Sequence, residues 1–136
     1  MPVDTEAMAR GVLESVTDDL LVLAVSGTDY RLSLRPTVEA AMIETPPGKR
    51  IRGIIKARAL RIHGAEGGGR FIEPVYGAPR IVAGTILAID EAASRVLVDV
   101  AVPMWVTWPE GQDTSILEVG KLVNFYVESG TSFTPA

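Results

Sequence analysis

The residues best equipped for chemistry in this chain are its cations. Eight of them, Lys49, Arg50, Arg52, Lys56, Arg58, Arg61, Arg70 and Arg80, fall between positions 47 and 80, against only Glu66 and Glu73. That segment therefore carries +6, and since the whole chain is −4 the remainder carries −10. Arg50, Arg52, Lys56 and Arg58 share parity, so on an extended strand they line one face with Ile54 among them. A bulge near Ala59 would bring Arg61 and His63 round to the same side. A row of this kind suits a phosphate backbone, which makes single-stranded nucleic acid one expected partner. An acidic protein surface, or a second copy of the chain, is another. The same row would also keep an exposed strand from pairing at its edge, with no ligand involved.

Aromatic side chains could add stacking platforms beside this stripe, each worth roughly 1 to 3 kcal/mol per base. Tyr126 has the opposite parity to Val123, Phe125 and Val127, so it faces outward with Asn124 and Glu128. Trp105 and Trp108 differ in parity within their strand, which sends one inward and one outward. Tyr76 lies in a connection. The candidate binding set is thus Arg50, Arg52, Lys56, Arg58, Arg61, Tyr76, Trp108 and Tyr126, with core packing as the competing use of each aromatic.

The other polar groups read as structural. Asp18-Asp19 and Asp90-Glu91 occupy matching turns, where short acids bond their own backbone, and no Asp-x-Asp-x-Asp-Gly loop is present for calcium. Gly67-Gly68-Gly69-Arg70 has the glycines of a phosphate loop but no helix following it. With one His and no Cys, a closed Cys/His zinc site is excluded, and a serine triad could form only around His63. An enzyme would require carboxylates such as Asp99 with Glu128 to converge in a pocket. No catalytic residue, metal or cofactor is assigned, and the chain is expected not to be an enzyme.

The elements that must hold these groups are strands. Residues 10–17 and 20–26 are aliphatic and β-branched runs around the turn Thr17-Asp18-Asp19, and Tyr30 to Arg35 alternates with period two. Val38 to Glu44 has helical spacing and is closed by Pro46-Pro47-Gly48. Ile51 to Ile62 is extended again, followed by a glycine-rich tip at Gly64 to Gly69. Further strands fall at 81–90, 95–102, 103–108, 121–128 and 131–134, with a short helical slot at Asp113 to Val119.

The two halves echo each other. Gly11 to Asp19 follows the same plan as Gly84 to Ala92, and Gly48-Lys49-Arg50-Ile51 matches Gly120-Lys121-Leu122-Val123. Leu20 to Val25 matches Val96 to Ala101, with Tyr30 against Trp105 and Pro36 against Pro109. The expectation is an all-β protein of two tandem small barrels of OB or SH3-like type, an internal duplication with at most a short helix in each. The first barrel covers 1–64, a tip and apolar connection covers 65–80, and the second barrel covers 81–136.

Leu117, Gly120, Val123 and Phe125 follow a Leu-x-x-Gly-x-x-Val-x-Phe pattern, and the segment 117–130 that holds them resembles the fourth-strand region of cold-shock and related OB-fold domains. The resemblance implies a small barrel. It does not carry the activity, because motifs resembling Lys-Gly-Phe-Gly-Phe and Val-Phe-Val-His are missing. The matching strands read Leu21-Val22-Leu23-Ala24 and Val96-Leu97-Val98-Asp99, with no aromatic to stack on a base.

Composition sets the outer bounds. A pI near 5.0 argues against a protein that coats DNA or anionic lipid as a whole. The apolar stretch Val96 to Val106 is interrupted by Asp99 and Pro103, short of the roughly 18 to 20 residues of a membrane span. Acids at Asp4 and Glu6 stand where a secretory leader needs basic residues, so a cytoplasmic protein is expected. The functional expectation is a non-enzymatic macromolecule-binding or assembly module, protein-directed first and nucleic-acid-directed second.

Overall fold

Alternating burial organises several of the strands. In β1 (Ala9–Val16) Ala9, Gly11 and Leu13 are buried while Arg10 and Glu14 are exposed. The remaining strands are β2 (Leu21–Val25), β3 (Arg31–Pro36), β4 (Arg50–Gly64), β5 (Phe71–Glu73), β6 (Tyr76–Gly77), β7 (Ile81–Asp90), β8 (Arg95–Asp99), β9 (Pro103–Thr107), β10 (Leu122–Val127) and β11 (Ser132–Pro135). The period runs through β3, β4 and β10, whereas β2, β7, β8 and β9 each bury three consecutive residues and so are covered on both faces there. The computed structural model describes residues 8–136, so the reading of Met1 to Glu6 as unlike a secretory leader lies outside the described residues. Among the described residues there is no α-helix, and none that is long and apolar enough to cross a membrane. The two helical stretches expected from sequence are single 3₁₀ turns, Ala40–Met42 and Thr114–Ile116, and neither has a buried residue. With at most Ile116 docked partway onto the core, a segment that short cannot offset the cost of nucleating an α-helix.

The ladders close. β1 pairs β2, β2 pairs β3, β3 runs parallel to β11, β11 pairs β4, and β4 returns to β1, giving a five-stranded barrel. A second circuit runs β4, β10, β7, β8, β9 and back to β4 through a parallel ladder. The all-β expectation therefore holds. The circuits do not simply follow each other along the chain, however. The 15-residue β4 serves both, giving Arg50 to Lys56 to the first and Lys56 to Gly64 to the second. The last strand, Ser132–Pro135, pairs back with β3 and β4.

Both circuits use one pairing plan. Gly11 stands opposite Ile51 as Gly84 stands opposite Val123, and Leu23 opposite Leu32 as Val98 opposite Met104. Each first strand is bulged at the same place, Glu14 between Leu13 and Ser15, and Leu87 between Ile86 and Ala88. By this register Trp105 corresponds to Ser33 rather than to Tyr30. The three-residue offset arises because residues 25–30 bridge β2 and β3 where 100–102 suffice between β8 and β9.

One apolar core fills both circuits, with Leu13, Leu23, Leu32, Ile55 and Phe133 from one and Ile86, Val98, Met104, Ile62 and Phe125 from the other. The connection belongs to it as well. β5 pairs β7, β6 pairs β3, and Ile72 in the middle of β5 is 1% exposed, so this segment ties the two circuits together.

Candidate macromolecule-binding face

The exposed row on β4 is built by alternation and corrected by a bulge. Arg50, Arg52, Lys56 and Arg58 are exposed, alternating with buried Ile51, Gly53, Ile55 and Ala57. Opposite β10 the register slips between Val127↔Ala59 and Tyr126↔Arg61, which makes Leu60 the extra residue. Beyond it the parity changes, Ile62 turns inward, and Arg61 and His63 face out with the earlier cations. Leu60 itself is left 57% exposed within the row.

Few acids answer these charges. Arg58 Nε stands 4.0 Å from Glu128 Oε2, a long and solvent-exposed pair worth little. Arg50, Arg52, Lys56 and Arg61 make no ion pair among the described residues. Arg70, in contrast, is held by Asp99 at 2.5 Å, so the glycine-rich tip ends in a structural contact.

The aromatic candidates divide. Tyr126 is 55% exposed and directly opposite Arg61 across the β4–β10 ladder, with His63 opposite Asn124 next to it. Leu60, Arg61, His63 and Tyr126 line a cleft of about 410 Å³ that Phe71 and Ile81 complete from β5 and β7. Trp108 is half-buried against the main core, and what it still exposes faces the cleft around Arg58. Tyr76 is 70% exposed but sits on β6 against Arg31, outside both of those clefts. Trp105 is 5% exposed on the outer side of the second circuit, packed with Leu97 and covered by the Arg95 guanidinium 4.0 Å from its ring.

The remaining polar groups are engaged in holding the chain. Asp18 Oδ1 accepts from the Ala40 N–H at 2.8 Å, and Asp90 accepts from the Ala93 N–H while pairing with Arg95 at 3.1 Å. Asp99 and Glu128 each face an arginine. Glu128 does share a cleft of about 320 Å³ with Glu110 and Arg58, but both acids are exposed there, which denies them the water exclusion that tunes a general acid or base. Among the described residues no group of three His, Asp or Glu side chains is placed to hold a metal ion. The one resolved titration effect belongs to Asp113, whose carboxyl is lowered by the hydroxyl and then the N–H of Ser115.

Two residues of this face escape sequence reasoning. Leu60 looks like a core leucine until the bulge ejects it. Arg10, forty residues from the stripe, joins it only because β1 pairs with β4 and sets it opposite Arg52. In comparisons with protein families, curated proteins and solved structures, nothing matches this chain.

Proposed function

We propose that the protein is a non-enzymatic binding or assembly module that recognises another protein, or a second copy of itself, through the outer face of β4 and β10. The observation that carries this reading is the cluster of Leu60, Arg61 and Tyr126, an apolar and aromatic surface framed by arginine on a rigid ladder. Tyr and Arg are the residues most enriched where protein partners bind tightly, whereas a solvated face would be richer in Lys and Glu. A cytoplasmic setting and an internal duplication belong to the same reading. What supports duplication is the shared register and the matching bulges, each circuit being an OB-type barrel whose fifth strand comes from the other half of the chain.

A second reading, single-stranded nucleic acid, is favoured by the row from Arg50 to Arg61, in which Arg58 alone has an acidic partner among the described residues. It is the weaker one because OB-type barrels commonly stack bases on the outer face of strands two and three. Here that face carries Val22 and Ser33 in one circuit, and Leu97 with an already covered Trp105 in the other.

The test is a paired comparison of the wild type with the double variant Arg61→Glu, Tyr126→Ala. Proteins or self-association captured by the wild type and lost in the variant support the protein reading, and identical profiles overturn it. Anisotropy with labelled single-stranded RNA and DNA at two salt concentrations separates the second reading, which requires binding that weakens steeply with salt.

A further inference from the structure

The opposite end of β4 holds a different kind of site. We propose that Arg10, Arg50 and Arg52 form a receptor for a tetrahedral oxyanion, the phosphate type of group, at the mouth of the first barrel. This goes beyond the protein-binding reading and involves none of the residues that carry it.

Arg10 and Arg52 are directly opposite on antiparallel β1 and β4, which puts their Cβ atoms about 4.5–5.5 Å apart. Arg50 lies two residues along the same face, roughly 7 Å away. Like charges facing each other across a ladder destabilise it, and no described residue forms an ion pair with any of the three. All three line one cleft of about 680 Å³, larger than the other clefts along β4. Its far wall is the 3₁₀ turn with Ile43 to Thr45 after it, where Met42 is 70% exposed, and the Ser26 hydroxyl adds a neutral donor. Glu44 and the terminal carboxylate on Ala136 are the acids in the lining, so the cleft keeps a net charge of +1.

A multivalent anion relieves the remaining repulsion and uses the geometry. The guanidinium fork donates two parallel N–H bonds to an oxyanion, and three forks around one cleft can share the oxygens of a phosphate or pyrophosphate. The oxyanion could belong to a free phosphorylated small molecule or to a nucleic-acid backbone, and the recognition chemistry is shared.

The experiment is a titration of the full chain with inorganic pyrophosphate at constant ionic strength, followed by NMR of the arginine Nε–Hε resonances. Saturable shifts confined to Arg10, Arg50 and Arg52 are expected. Arg52→Lys, which keeps charge but not the fork, should weaken binding about tenfold, on the scale of one charge-assisted hydrogen bond. Glu44→Gln should tighten it, and Arg80→Gln, on an exposed site elsewhere, should leave it unchanged. A short single-stranded oligonucleotide in a parallel titration assigns the source. Saturation by pyrophosphate points to a free ligand, and saturation by the oligonucleotide alone points to a backbone phosphate. Linear shifts spread over all arginines with both probes, or a Lys variant that binds as well as wild type, would overturn the proposal. These outcomes leave the Leu60–Tyr126 face untouched, so the two readings fail independently.

Discussion

The two circuits share their hydrogen-bond registers but not their contents. In the first, β11 contributes Phe133 at 0% exposure and β4 answers with Gly53, where an added Cβ would strike the Phe133 ring. In the second, the large residue has moved to the neighbouring strand. Phe125 occupies the position that corresponds to Gly53, and Ala59 the one that corresponds to Phe133. Total volume is conserved while its distribution is reversed, which a close-packed interior tolerates better than any change in the sum. Outer faces differ without such a restraint. Ser15, Val22 and Ser33 correspond to Ala88, Leu97 and Trp105, so only the second circuit has a covered apolar layer outside its sheet. Turn lengths and alternation dictate the pairing. Side-chain volume then needs to balance only within each circuit.

The strongest way to break this comparison is to empty one barrel and watch the other. Phe133→Ala removes a fully buried ring from the first circuit and is expected to cost about 3–5 kcal/mol. Both tryptophans, Trp105 and Trp108, lie in or beside β9 of the second circuit. Because β4 is common to both, their fluorescence should report a single urea transition moved to lower denaturant. Two separated transitions, with the tryptophan signal at its original midpoint, would mean that the circuits unfold as independent units.

A smaller effect sharpens the equivalence itself. Gly11 and Gly84 hold the same register position, and at each an added Cβ would run into a carbonyl of the next strand, Ala24 or Asp99. Alanine at either site is expected to destabilise by about 1–3 kcal/mol, and by similar amounts in the two. Thermal or urea midpoints that drop for one glycine only would show that the shared register does not imply shared packing.

Much of this organisation is legible in the sequence because period-two alternation and turn residues are local signals. The strands from Ala9 to Pro36 and the long run through β4 follow from them, as does the outward row from Arg50 to Arg58, and a bulge near Ala59 is enough to keep Arg61 in line. What escapes is set by pairing between distant segments. Nothing local tells Ser132–Pro135 to pair with β3 and β4, since its alternation would suit either barrel. The correspondence of Trp105 with Ser33 is hidden by loops of unequal length, and a match by residue type aligns it with Tyr30 instead. The candidate site divides along the same line. The parity of Tyr126 is readable, but that it faces Arg61, and that Arg10 faces Arg52, depends on ladder registers which no short window contains.

The smallest expected effect contrasts the two 3₁₀ turns. Asp113 precedes Thr114–Ile116 and its Oδ1 accepts from the Ser115 hydroxyl at 2.6 Å and the Ser115 N–H at 3.0 Å. Glu39 precedes Ala40–Met42 and its side chain caps nothing, its extra methylene placing it outside the residue types that reach back to the backbone. Hydrogen bonds to the charged form lower the Asp113 carboxyl below its ordinary value of 3.8. The unfolded chain therefore takes up this proton more readily than the folded one. The contribution is fully present above 3.8 and is lost as pH falls through the lowered folded value. Asp113→Ala should unfold at slightly lower urea than wild type at pH 7, and the gap should narrow on acidification below that point. Glu39→Asp should open a gap of the opposite sign with the same pH dependence, by adding a local cap beside the bond that Asp18 already takes from the Ala40 N–H. An Asp113→Ala gap that is constant from pH 7 to pH 2 would mean that the turn is held by its packing and that the carboxylate contributes nothing through its charge.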